Sequence, residues 1–314
     1  MNRLLGLERV MLAGHVVSMV FGLAGLLLVL PHPDFILSLP ILGQRAFQWS
    51  LMGGGVGYMV MAAIAVSCYA YRVLGSYRWL SFMLPALVIS LSSELLGTST
   101  GFPFGEYRYL SGLGYKIAGL VPFTIPLSWF YLGFSVYVLA GAGLAGLNRR
   151  LGRASALTGS WGQVLGTIAL AAVMLTAWDF VLDPAMSQAP MKFWEFLEAG
   201  SFFGMPYRNI SGWLATGVLY MGTASLFWGK QPVNLGRSQL TLPLVVYLVN
   251  VAFGAVITLT QLDRQFLFPT SLALVLGVVP AIALWWAAGP LLPRDTEGCD
   301  RQAPLPTSPL EVRP

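Results

Sequence analysis

Residues 162–184 read GQVLGTIALAAVMLTAWDFVLDP, and the seventeen from Gly162 to Trp178 carry no charge. A helix that crosses a bilayer needs about 20 mainly apolar residues, and the run 162–182 supplies them. The same reading finds seven further runs, at 10–30, 49–71, 79–97, 124–147, 211–229, 240–260 and 268–289. Breakers separate them: Pro31 and Pro33, Gly75, Gly101 to Pro103, Pro184, Pro232 and Pro290. Pro122 and Pro126 predict an irregular or kinked start to the fourth.

Composition agrees. Of the 314 residues 56% are hydrophobic and 10% charged, against about 25% charged in soluble domains. A chain this apolar takes the bilayer as its solvent. Its formal charge of +5 does not point to nucleic acid, because the basic residues stand singly between apolar runs instead of forming a stripe. They set orientation. The N-terminus, the second, fourth and sixth loops and the C-terminal tail hold 12 Lys and Arg, and the other loops hold 6. That split places both termini in the cytoplasm. The run Val10–Leu30 follows Arg3 and Arg9, exceeds the apolar core of about 7–15 residues in a cleaved signal, and lacks a small-residue cleavage site after it, so it reads as a retained span. The expected fold is all-α, a polytopic transmembrane helical bundle of about eight spans over residues 1–290. Residues 291–314, rich in Pro and charge, are expected to be a disordered cytoplasmic tail. Cys68 and Cys299 form neither a metal spacing nor a disulfide framework. Gly53 with Gly57, and Ala142 with Gly146, read as small faces for close helix packing.

Most of the 13 carboxylates lie in loops or the tail. Asp179 lies inside the fifth span, Glu94 in the last turn of the third, and Asp183 one helical turn beyond Asp179 on the same side. An ionisable group in a span costs several kcal/mol and is a functional candidate; the plain alternative is that these groups cap helices or snorkel to the interface. The expected topology brings all three to one side of the membrane. Loops three and five lie there too, with Glu106, Tyr107, Arg108 and Tyr109 in one and Tyr207, Arg208 and Asn209 in the other, followed by Trp213. Trp129, Trp178 and Trp213 flank the acidic cluster, whereas Trp79, Trp228, Trp285 and Trp286 read as an interfacial belt. His15 is alone on an apolar span and reads as packing. No metal site is expected, since two histidines and one Asp-xxx-Asp pair are a poor ligand set.

Three blocks carry a resemblance. The first runs from Glu94-Leu-Leu-Gly-Thr-Ser-Thr-Gly-Phe-Pro-Phe-Gly-Glu106-Tyr107-Arg-Tyr109 to Val121-Pro122 and Pro126-Leu-Ser-Trp129; the second is Trp178-Asp179-Phe-Val-Leu-Asp183-Pro184; the third comprises Phe193-Trp194 and Gly200-Ser-Phe-Phe-Gly204-Met-Pro206-Tyr-Arg-Asn209-Ile-Ser-Gly212-Trp213. Together, across about residues 10–290, the chain resembles the membrane carotenoid 1′-hydratase family of the CruF type, which includes gamma-carotene 1′-hydroxylase and bisanhydrobacterioruberin hydratase.

The resemblance implies addition of water to the C1′–C2′ double bond of an acyclic carotenoid end, giving a tertiary alcohol. It implies gamma-carotene, lycopene or a related acyclic or monocyclic carotenoid as substrate, with water, no cofactor, a bacterial inner or thylakoid membrane, and a glycosyltransferase acting downstream. A carboxylic acid kept protonated by apolar surroundings can protonate an alkene, and a second, ionised carboxylate can take a proton from water. Weighed against that chemistry, Asp179 is the leading acid and Glu94 the other catalytic carboxylate, the two being exchangeable. Asp183, Glu106 and Asn209 would hold water or orient those groups. Tyr107, Tyr109, Trp129, Trp178, Tyr207, Arg208 and Trp213 would meet the end group, and Arg208 could instead pair with a carboxylate. A carotenoid cyclase or isomerase shares the protonation step. A prenyltransferase would want a second Asp-rich motif, and a transporter would show inverted repeats.

Overall fold

The computed structural model describes residues 2–152 and 159–290. Residues 291–314, expected as a tail, lie outside the described residues. Helix α1 (Asn2–Ala24) continues through a π-turn (Gly25–Val29), and a short α2 (Pro33–Ser38) follows. After α3 (Ile41–Thr100) come three short strands, β1 (Tyr107–Tyr109), β2 (Lys116–Ile117) and β3 (Val121–Pro122). The chain then forms α4 (Thr124–Arg150), α5 (Trp161–Ser187), β4 (Trp194–Phe196), α6 (Tyr207–Trp228) and α7 (Arg237–Gln261). It ends in α8 (Leu267–Ala273) and α9 (Val279–Ala288), joined by a second π-turn.

Among the described residues seven helices are long and apolar enough to cross a membrane. One of them, Gly53–Thr100, has 48 residues, which as a straight rod would measure about 72 Å, over twice the hydrocarbon thickness. It does not run straight. Gly75 has φ 83° and ψ 170°, a conformation open to glycine and strained for other residues. Tyr71 and Trp79, four residues to either side, have ring centroids 6.0 Å apart. Ser67 and Met83, eight to either side, meet at 4.0 Å. Contacts symmetric about residue 75 define two antiparallel arms, so the seven helices make eight crossings. The chain is an all-α, polytopic integral membrane protein.

Helix α4 is the hub, almost wholly buried and packed by α3, α5, α7 and α9. Its start is regular despite Pro126, because proline in a first helical turn removes no internal bond. Gly146 on α4 takes the close approach expected of it: a Cβ there would lie 2.2 Å from the Ala287 carbonyl oxygen of α9. The Gly53 and Gly57 pair meets no neighbour within 4 Å. Trp228 is buried against Phe82 and Tyr137, not in an interfacial belt. His15 is a satisfied core histidine. Its Nδ1 lies 2.9 Å from the Tyr58 carbonyl oxygen and its Nε2 lies 3.2 Å from the Asn250 side chain.

Two boundaries differ from the sequence reading in a way that shapes the site. Pro184 does not end its span. Helix α5 runs one turn further to Ser187, because Ala185, Met186 and Ser187 are all buried and their packing holds the turn despite the missing proline donor. Asp183 is therefore inside the bundle, not at its mouth. Helix α6 starts at Tyr207, ahead of the expected 211, so Asn209 stands in a rigid first turn facing α5.

Candidate active site

The site is built by three helix ends and a small sheet. Helix α3 brings Glu94 to its last turns and stops at Gly101, which adopts φ 78° and donates its N–H to the Gly97 carbonyl at 2.8 Å, a glycine helix stop. The chain turns back and enters β1, which pairs antiparallel with β4 in the register Tyr107 to Phe196, Arg108 to Glu195 and Tyr109 to Trp194. Side chains alternate across a strand. Arg108 thus points outward to Glu195 at 2.6 Å, while Tyr107 and Tyr109 point inward onto Glu94.

Three donors converge on the Glu94 carboxylate. Tyr107 Oη and Tyr109 Oη both donate to Oε2, the latter at 2.8 Å, and Trp129 Nε1 donates to Oε1 at 3.0 Å. Burial, reinforced by the neighbouring Glu94 charge, pushes both tyrosine hydroxyls well above their ordinary range. They remain donors. A set of donors with no acceptor is the complement of an ionised carboxylate, which only accepts.

Asp179 and Asp183 form a second centre. Asn209 Nδ2 donates to Asp179 Oδ2 at 2.8 Å and also to Asp183 Oδ2. The two carboxyls thus meet at a single amide nitrogen. Trp194 Nε1 donates to Asp183 Oδ1 at 2.8 Å. Asp179 Oδ1 and Trp178 Nε1 are buried and unpartnered. Like charges this close do not both ionise, so the pair is suited to holding one proton.

The two centres face one cavity of about 40 Å³. Glu94, Asp183, Asn209, Tyr107, Tyr109, Trp129, Trp178, Trp194 and Trp213 line it, with Phe104 and Ser128 among others. It has room for water, which needs about 10–15 Å³ on the same measure. Trp129 and Trp213 stack at 4.1 Å and 22°, and Trp178 meets Trp213 edge-on at 5.7 Å. Such faces attract a cation.

Nine of the twelve expected site residues are thus brought together, with one change of place. Asp179 is fully buried behind Asp183 and does not itself line the cavity. Glu106, Tyr207 and Arg208 stay outside. Glu106 is exposed, Tyr207 is 63% exposed, and Arg208 pairs with Glu198 at 2.6 Å instead of with a buried carboxylate. Sequence reading passed over Trp194. Its signal was parity: Tyr107-Arg-Tyr109 and Trp194-Glu-Phe196 share an aromatic–charged alternation that fits two paired strands. No group of three or more His, Cys, Asp and Glu is placed to hold a metal among the described residues.

Residues 54–280 match the family described as carotenoid biosynthesis protein. The chain belongs to that family. Within it, the chain is similar to the bisanhydrobacterioruberin hydratase of Haloarcula japonica, 38% identical over 128 residues. That match covers 41% of this chain and 38% of the relative's length. No solved structure matches.

Proposed function

We propose that this carotenoid biosynthesis protein is a carotenoid 1′,2′-hydratase, adding water to the C1′–C2′ double bond of an acyclic end group such as that of gamma-carotene or lycopene. The observation that carries the reading is the pairing, across one water-sized cavity walled by tryptophans, of a carboxyl dyad with a separately ringed carboxylate. Asp183, sharing a proton with Asp179 under Asn209, gives that proton to C2′. The π-electrons form the new C–H bond, and the positive charge falls on the tertiary C1′. The faces of Trp129, Trp178 and Trp213 stabilise it by about 0.5–2 kcal/mol each. Water in the cavity attacks C1′, and Glu94 takes the proton that the water loses. Return of a proton from Glu94 to the dyad closes the cycle, and the balance is alkene plus water to tertiary alcohol. The route calls on no cofactor.

Asp183 replaces Asp179 as the group meeting the substrate because Asp183 lines the cavity and Asp179 supports it from behind. Room for water beside the carboxyls favours hydration over the cyclase or isomerase reading, in which the same cation loses a proton. The basic-residue split favours the site on the face away from the cytoplasm; the membrane we propose is a bacterial inner or thylakoid one.

The test is expression in a bacterium making lycopene or gamma-carotene, with pigments separated and weighed by mass spectrometry. Wild type yields a product heavier by one water. Glu94→Gln and Asp183→Asn yield none while remaining in the membrane, and Asp179→Asn is reduced at least tenfold. A product of unchanged mass, or normal hydration by Glu94→Gln and Asp183→Asn, rejects the reading.

A further inference from the structure

As it stands the small cavity holds water, and an isoprenoid end group enters it only as its wall gives way; the rest of such a substrate is a long apolar chain needing a bed of its own. A second cavity, of about 540 Å³, opens between the end of α1, α2 and the first arm of α3. That volume is within the usual range of ligand pockets, about 300–1,000 Å³. Among the described residues no charged side chain lines it, and its hydroxyls belong to Ser18, Ser50 and Tyr58. Its rim residues Val17, Phe21 and Phe35 are more than half exposed, by 65%, 65% and 53%, on a surface that in a membrane faces lipid.

The two cavities are neighbours that share a wall. Tyr58, Leu113 and Met186 line both, so the same three side chains form the far wall of one and the near wall of the other. Beyond that neck, Trp178 Nε1 is a buried donor without a partner on the wall of the smaller cavity. Bare backbone makes the larger one wide. Gly25 and Gly54 line it, and a Cβ at either would meet nothing within 4 Å.

We propose that the larger cavity holds the polyene body of the substrate, taken sideways from the bilayer, and that Tyr58, Leu113 and Met186 form the neck through which its reactive end reaches the carboxyls. The inference rests on the hydratase reading for the end group, and on apolar chemistry and the shared wall for the bed. Met186 suits a neck that must give way, since its unbranched side chain repacks readily.

The test fills the bed without touching the chemistry. Gly25→Leu and Gly54→Leu, singly and together, put side chains into empty space on helical backbone. Gly222→Leu, also free of neighbours within 4 Å but on α6 away from this cavity, is the control. Each protein is purified from polyene-producing cells, and two quantities are read: product, and pigment carried per protein by visible absorption. The double variant is expected to lose product and bound pigment at least tenfold with unchanged melting. Gly222→Leu keeps both, and Asp183→Asn keeps pigment while losing product. Wild-type product and pigment in the double variant overturn the bed while leaving the hydratase reading intact. If wild type converts nothing, the hydratase reading fails and pigment alone decides: its loss in the double variant upholds the bed, and its retention overturns it.

Discussion

Replacing Asn209 by leucine removes the one amide that serves both aspartates while keeping the same branched skeleton of heavy atoms. Asn209 is 4% exposed and gives Nδ2 hydrogens to Asp179, at 2.8 Å, and to Asp183. With one proton on the pair, one of these bonds meets a charged oxygen and is worth about 1.5–3 kcal/mol, and the other meets a neutral one and is worth about 0.5–1.5 kcal/mol. The loss is then about 2–4.5 kcal/mol. Asp183 keeps the Trp194 bond at 2.8 Å, so Asp179, already with one orphan oxygen, carries most of it. For a chain of 314 residues the melting temperature should fall by roughly 3–7 °C. Asn209→Asp, which replaces the donor with a third acid, should fall further. The assay is thermal unfolding in mild detergent followed by tryptophan fluorescence, with pigment conversion measured on the same samples. Conversion should drop at least tenfold at temperatures where the variant remains folded. Asn209→Leu that melts and converts as wild type would refute the idea that this amide organises the dyad.

Three further outcomes are expected. A Cβ at residue 97 would lie 2.8 Å from Phe104 and 3.1 Å from the Tyr107 hydroxyl, so Gly97→Ala should cost about 1–3 kcal/mol by overpacking and lower conversion by pulling a donor from Glu94; melting and product yield check both. Tyr107 and Tyr109 ionise well above their ordinary value of about 10 when folded and near it when unfolded. Their contribution is therefore complete below about pH 10 and is lost as pH rises beyond it, and the double Tyr→Phe variant should be less stable at neutral pH but flatter in melting temperature above about pH 10. Arg208→Ala should change stability by no more than about 1 kcal/mol and leave conversion unchanged, since its guanidinium pairs only with Glu198 at a largely exposed site; a large loss of product would return Arg208 to the site.

The membrane character and the costly carboxylates were legible because hydrocarbon is an unforgiving solvent. An apolar run of about 20 residues has few other uses, and Glu94, Asp179 and Asp183 stand out against it. Proline at 184 was misleading because a local cost of one hydrogen bond was outweighed by buried packing around it. Glu106 and Trp194 were misplaced for a common reason. Three-residue strands are too short to announce themselves, and β1 and β4 come from loops 87 residues apart. Once paired, the pleat turns Tyr107 and Tyr109 inward and leaves residue 106 outside. Arg208 looked like a partner for the acids because a cation stood in the same loop; in the first turn of α6, Tyr207 and Arg208 are exposed and Asn209 is buried against α5. The neck formed by Tyr58, Leu113 and Met186 has no sequence signature, since each residue is ordinary and only the meeting of three segments gives it meaning.

The reversal at Gly75 bears on how the protein is made. With one residue between its arms, there is no loop that could be left on one side while a single arm crosses. The two arms therefore insert as a hairpin, with Arg72 and Arg78 close to the bend. Glu94 lies on the second arm and precedes all three of its donors along the chain: Tyr107 and Tyr109 come one loop later, and Trp129 belongs to the next span. For a chain made in sequence order, the carboxyl that anchors the pocket is thus a passenger, dependent on the apolar surface of its own hairpin until the residues that complete its ring follow.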